Sequence, residues 1–250
     1  MKTFKLSAIL GIAAFLMLPS MAAKATPLGT VDVSRTGHGA NQIADVYGGG
    51  LTGDSTYSGV YMLNKTSDSG AGAFWGNGPI AAFCIELDEP SSSSIATYDV
   101  VGVSEAYNGV LNESMGIDRS NYLSELWGRY YDPSWAGDGP FAPSENGSAA
   151  AFAAAVWEIV YEDLPATTFD YDVTQDGSLG ISGFAIDSVD SVVANAWLAS
   201  LNGSGPMAEL AAFTNEGNQN YLVAVPEPTT MLLLGVGGVL GAMRRKKKIA

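Results

Sequence analysis

One cysteine, one histidine and very few bases in the interior of the chain narrow what this protein can be. Cys84 has no second cysteine with which to form an internal disulfide. His38 alone builds neither a histidine metal cluster nor a Ser-His-Asp arrangement with any redundancy. Most common catalytic sites are removed by these two shortages. Of the 12 lysines and arginines, Lys2, Lys5 and Lys24 lie at the start, and Arg244, Arg245, Lys246, Lys247 and Lys248 at the end. Only Arg35, Lys65, Arg119 and Arg129 stand between them, against all 26 acids, which leaves that region at a formal −22. Phosphate binding relies on Lys and Arg to release counterions, so nucleic acid is not an expected partner. Long apolar runs are missing too. No stretch reaches the ~20 residues of a comfortable spanning helix, and the two that come nearest lie at the ends.

Both ends read as addresses. Residues 1–25 carry a basic front at Lys2 and Lys5, an apolar run from Leu6 to Leu18 and an A-x-A pattern at Ala23 and Ala25. That order is the composition of a secretory signal peptide cleaved after Ala25, with signal peptidase as the processing partner. At the other end, residues 225–250 read "VPEPTTMLLLGVGGVLGAMRRKKKIA". The segment from Thr229 to Met243 rises roughly 22 Å as a helix, against a hydrocarbon core near 30 Å. It suits short residence in the inner membrane better than permanent anchorage. The basic run that follows is a positive-inside signal, which places the acidic region outside the cytoplasm. Pro226 and Pro228 hold an extended segment lacking two backbone donors, which a protease can bind without first unfolding a helix.

Pro226, Glu227 and Pro228, the short apolar helix, and Arg244 with Arg245 together resemble the PEP-CTERM sorting signal of Gram-negative bacteria that possess an exosortase. The resemblance implies recognition by that membrane protease, cleavage near the tripeptide, and delivery to the cell surface or to an exopolysaccharide matrix.

Residues 26–224 read as one β-rich domain with a helical part, an α+β and mainly β class. Short strands are expected at "TVDVS", "YSGVYMLN", "PIAAFCIELD" and "TYDVVGV", with a last strand at "NYLVAV". Three stretches carry helical periodicity. In the first, Tyr122, Leu126 and Tyr130 share a face, Asp118 is the expected cap and Pro133 the stop. The second places Phe152, Val156 and Val160 on one stripe among alanines. The third places Val193, Trp197 and Leu201 on one stripe and ends at Asn202-Gly203. Such aromatic stripes are expected in the core.

"FCIEL" on a strand, followed by a helix carrying "AFAAAVWEIVYE", resembles the thioester domains of bacterial surface adhesins. The resemblance implies a β-barrel or sandwich with a three-helix subdomain, and an internal Cys–Gln thioester that captures an amine covalently. Cys84 matches the thiol, and Ala155, Val156 and Trp157 match the end of the helical motif. The family's Gln stands four residues before the Trp, where this chain has Ala153. Without an acyl group there, the expected outcome is a kept scaffold with Cys84 a buried thiol on a core strand. Gln175 and Gln219 are the candidate substitutes, and neither stands in a helical A-x-W context.

"DYDVTQDGSLG" places Asp170, Asp172 and Asp176 ahead of Gly177, partly like a calcium loop. Position 12, counted from Asp172, is Gly183 where a bidentate Glu is wanted, so an Asp-Gly turn is the preferred reading and calcium the alternative. No catalytic set emerges, and the chain is not expected to be an enzyme. Paired carboxylates for polysaccharide hydrolysis stay open, because their separation in space is not legible in sequence. The expected role is a non-catalytic structural or adhesive one, with exopolysaccharide and divalent cations as partners. A thioester adhesin and a secreted hydrolase are the alternatives.

Overall fold

A computed structural model describes residues 25–108, 113–175 and 183–226. The expected C-terminal membrane helix lies outside these residues. Among the described residues no helix is long and apolar enough to cross a membrane.

The chain opens with two strands of 20 residues each, β1 (Gly29–Gly48) and β2 (Leu51–Gly70), paired antiparallel as one long hairpin. Sequence alone suggested shorter strands, because Gly and Ser interrupt the alternation. The pairing absorbs those interruptions as register shifts, at Asp32/Val33, Arg35/Gly37, His38/Asn41 and Val46/Tyr47. Each shift bends the ribbon without ending it. Gly59 shows why glycine is needed in such a strand: a Cβ there would meet the Ala40 carbonyl at 2.4 Å, and its φ is 148°.

β3 (Gly78–Cys84), β4 (Ala96–Gly102), β7 (Phe184–Ile186), β8 (Leu210–Asn215) and β9 (Asn218–Ala224) complete a seven-stranded antiparallel sheet. A small separate ribbon is formed by β5 (Tyr107–Asn108) and β6 (Glu113–Ser114). In the large sheet β2 pairs with β3, β3 with β9, β9 with β8, β8 with β4, β4 with β1, and β1 again with β2. The pairings thus run in a closed ring of six strands, and β7 adds to the far end of β1. β7 and β8 were not expected from sequence. "LAAFTN" in β8 lacks clear alternation because Ala211, Ala212 and Phe213 are all buried.

Three helices accompany the sheet. α2 (Pro143–Tyr161) packs on β1, β2 and β3 and meets both other helices. It is buried without interruption from Ala149 to Tyr161, and a helix apolar all round is one surrounded on all sides. Its alanines permit that close approach, and Ser58 of β2 donates to the Ala150 carbonyl at 2.9 Å. At its start Pro143 occupies the first turn, and Glu145 accepts the Ala142 N–H at 2.6 Å. α1 (Gly116–Tyr130) starts at Met115 without a side-chain cap. Asp118 lies in the first turn rather than at the cap, where it favours the helix through the dipole. Pro133 opens a separate turn of 3₁₀ helix, Pro133–Trp135. α3 (Ser191–Ala199) is capped by Asp190, which accepts from the Val193 N–H at 3.1 Å. It ends three residues before the expected stop.

The expected stripes reach the core in part: Leu126, Phe152, Val156, Val160 and Leu201 are buried between sheet and helices, whereas Tyr122, Tyr130, Val193 and Trp197 are half-buried. Phe83 of β3 lies 5.4 Å from Trp127 and 4.7 Å from Phe152, ring centre to ring centre. Trp135 lies 5.7 Å from Phe152. This cluster seats α1 and α2 over the end of β3 that carries Cys84.

Candidate functional site

The segment from Cys84 to Pro90 leaves β3 between two clefts, and α2 pins it in place. The Trp157 indole N–H donates to the Cys84 carbonyl at 2.9 Å. The Tyr161 hydroxyl accepts the Leu87 N–H at 2.7 Å. Across the ladder Cys84 is paired with Tyr221 of β9, and the Ile85 N–H donates to the Asn220 carbonyl at 3.0 Å. Cys84 is 2% exposed, and its Sγ–H donates to the Glu86 carbonyl at 3.2 Å. Burial pushes the thiol up to about 12. Ala153 sits one helical turn before Trp157, buried and with no group that can acylate sulfur.

Gln219 is the glutamine on β9, the strand that pairs with β3 at Cys84. It lies two residues before Tyr221, the ladder partner of Cys84, in the stretch of β9 where the register with β8 shifts. The side chain is 5% exposed; its amide is hydrogen-bonded to Tyr61, and its Oε1 has no partner. A buried carbonyl oxygen left in that state costs about 1–3 kcal/mol. Sequence could name Gln219 but not its place two residues from the ladder partner of Cys84, because the β3–β9 register joins segments far apart in the chain.

The first cleft, about 490 Å³, is lined by Glu86, Glu89, Asp99, Glu105 and Glu216, with Ala25 at its edge. Glu86 is nearly buried, and its Oε2 accepts the Asn220 N–H at 3.2 Å. Burial, and after it the charge of Asp88, raises this carboxyl to about 7. The second cleft, about 220 Å³, shares Glu89 with the first and is lined by Arg35, His38, Tyr57, Tyr61 and Gln219 among others. His38 stacks on Tyr57 with ring centres 4.1 Å apart and meets Tyr61 edge-on at 5.0 Å. Burial, and then the Arg35 charge, lowers His38 to about 4, so it is neutral at physiological pH. Three of the domain's four bases have acidic partners: Lys65 with Asp68, Arg119 with Glu113 at 3.2 Å, and Arg129 with Glu125 at 2.6 Å. Arg35 makes no ion pair among the described residues, and its Nε is buried without a partner.

The acidic turn is separate from both clefts. Asp172 accepts from the Thr174 N–H at 3.1 Å, the Thr174 hydroxyl at 2.8 Å and Asn195 Nδ2 at 2.7 Å, and also from Gln175. Its oxygens therefore hold the turn against α3. Asp170 accepts from the Thr167 hydroxyl at 3.3 Å. Asp176 lies outside the described residues, and among the described ones no group of three His, Cys, Asp or Glu is placed to hold a metal.

Of the two address segments, the structure describes only the inner edges, at Ala25 and Pro226. Ala23, Glu227, Pro228, Arg244 and Arg245 lie outside the described residues. The departure of the tail is firmly held. The Trp75 indole donates to the Ala224 carbonyl at 2.8 Å, and the Val225 N–H to the Glu209 carbonyl at 2.8 Å. Trp75 is itself held by the buried Lys65, whose Nζ donates to the Trp75 carbonyl at 2.8 Å and to Asn77 Oδ1 at 3.0 Å.

No curated protein and no solved structure matches the chain. Residues 224–248 match the family model described as the PEP-CTERM protein-sorting motif, the signal by which an exosortase recognises an exported protein for processing at the membrane.

Proposed function

We propose that this is an exported protein, cut from its C-terminal tail by an exosortase and retained at the cell surface or in an exopolysaccharide matrix, where the domain plays a non-catalytic structural or adhesive part. Signal peptidase removes residues 1–25, and the inner membrane holds the tail only in transit. The observation that carries this reading is the junction at Ala224. The sorting motif begins where β9 ends, and β9 is bonded on both sides, to β3 and β8. Cleavage beyond Pro226 therefore removes the tail without opening the ring of strands. Mass spectrometry of surface-extracted protein tests it: the expected product starts at Thr26 and lacks "RRKKKIA". A product that keeps those residues in a strain with active exosortase overturns the reading.

The position of Gln219 favours a second reading, in which the adhesion is covalent. Cys84 Sγ would attack the Gln219 side-chain carbonyl carbon, forming the C–S bond and breaking the C–N bond, with ammonia leaving and carrying the thiol proton. An amine on a target would then displace sulfur, leaving an amide bond and a free Cys84 thiol. The domain mass would fall by about 17 Da, the mass of the ammonia released, and methylamine would then add about 31 Da, leaving the adduct about 14 Da above the unreacted mass. Gln219→Ala would abolish both effects. A parent protein at full mass, inert to methylamine, overturns this reading and leaves Cys84 a buried structural thiol.

A further inference from the structure

We propose that the cleft between Arg35 and Gln219 binds a sugar ring bearing one carboxylate, a uronic acid residue. Arg35 supplies the charge. In a domain with 26 acids and four interior bases, it alone lacks an acidic partner among the described residues, and its buried Nε has no acceptor. A guanidinium presents its N–H groups in a planar fork that matches a carboxylate. The same cleft is lined by Gln219, whose unpartnered Oε1 requires a donor such as a sugar hydroxyl. The lining also includes the stacked His38 and Tyr57, which present an aromatic face, with Tyr57 exposed to solvent. The volume of about 220 Å³ lies below the ~300–1,000 Å³ of drug-sized sites, which suits one ring rather than an oligosaccharide.

The acidic surface sets a further limit. It repels a long polyanion, so the ligand is a single residue or a chain end. Glu89, which also lines the cleft, opposes any anion that enters. Recognition of this kind is non-covalent and holds whether or not Gln219 has acylated Cys84, because a thioester retains the same carbonyl oxygen.

The test is saturation-transfer NMR on the full chain in detergent, titrated separately with D-glucuronate, D-glucose and acetate. Glucuronate is expected to bind with a millimolar Kd, about tenfold or more tighter than either other probe, about 1.4 kcal/mol. Arg35→Gln is expected to weaken it by about tenfold, and Glu89→Gln to strengthen it by about two- to fivefold. Glucose or acetate binding as well as glucuronate overturns the assignment, as does an unchanged Arg35→Gln. If Arg35→Gln fails to fold, Glu89→Gln decides, and no gain in that variant overturns it.

Discussion

Trp157 on α2 donates its indole N–H to the backbone carbonyl of Cys84 at 2.9 Å, which ties the longest buried helix to the end of β3. That carbonyl belongs to the residue before the chain leaves the sheet, so the bond fixes where the 84–90 segment starts and how the two clefts beside it are shaped. Trp157→Phe keeps most of the packing and removes the donor. It is expected to cost about 1–3 kcal/mol, because a buried acceptor is left unpaired. Denaturant unfolding measures the loss, and faster labelling of Cys84 by a thiol reagent in native buffer shows that it is local to β3.

Glu125 is fully buried in α1, yet its carboxyl stays below the usual range. Burial raises it, but donors outweigh that effect: the N–H groups of Gly203, Gly205 and Asn202 at 2.7, 3.0 and 3.0 Å, and Arg129. The carboxylate therefore clamps the chain after α3 onto α1. Glu125→Ala is expected to cost about 3–5 kcal/mol. A group lowered in the folded state contributes its stability above its unfolded pKa and loses it as the pH falls through the folded value. The parent's advantage over the variant should therefore shrink in acid, which unfolding curves at pH 7 and pH 3 measure.

Glu86 acts in the opposite sense. Its folded value of about 7 lies above the 4.5 of an ordinary glutamate, so its contribution is present below pH 4.5 and is lost as the pH rises to 7 and beyond. Glu86→Gln removes the titration. The variant should gain on the parent by on the order of 2 kcal/mol between pH 4.5 and pH 8, allowing for screening by the open cleft. Melting temperatures across that range check it, and parallel curves for the two proteins would refute it.

Gly128 in α1 gives a prediction whose sign decides between two effects. Alanine in a helix interior is favoured over glycine by about 1 kcal/mol. Here a Cβ would meet the Pro206 carbonyl oxygen at 2.1 Å, a backbone atom that cannot rotate away, in a segment tied to α1 by the Ala208 N–H bonded to the Ser124 carbonyl at 2.9 Å. Strain of that kind costs about 1–3 kcal/mol. Gly128→Ala should therefore lower the melting temperature, whereas the same change in an unpacked helix would raise it.

How much was legible in the sequence can be judged from particular residues. The sorting motif was legible because it is contiguous: Pro226, Glu227 and Pro228, the short apolar run and the arginines act through local composition, and no fold is needed to assemble them. The three helices were legible for a related reason, since a period of 3.6 is written along the chain. Even so, their ends moved, because Asp118 and Asn202-Gly203 satisfied rules of propensity while packing chose Met115 and Ala199. Strand lengths were not legible, because bulges in β1 and β2 carry pairing through residues that look like breaks. The candidate site was invisible for the strongest reason. Cys84 could be named, and Gln219 and Arg35 could be counted, but nothing local relates them. Whether Cys84 shares a face with Gln219 depends on the β3–β9 register, in which a slip of one residue turns every side chain to the other face, and only the closed ring of strands with α2 packed over it sets that register.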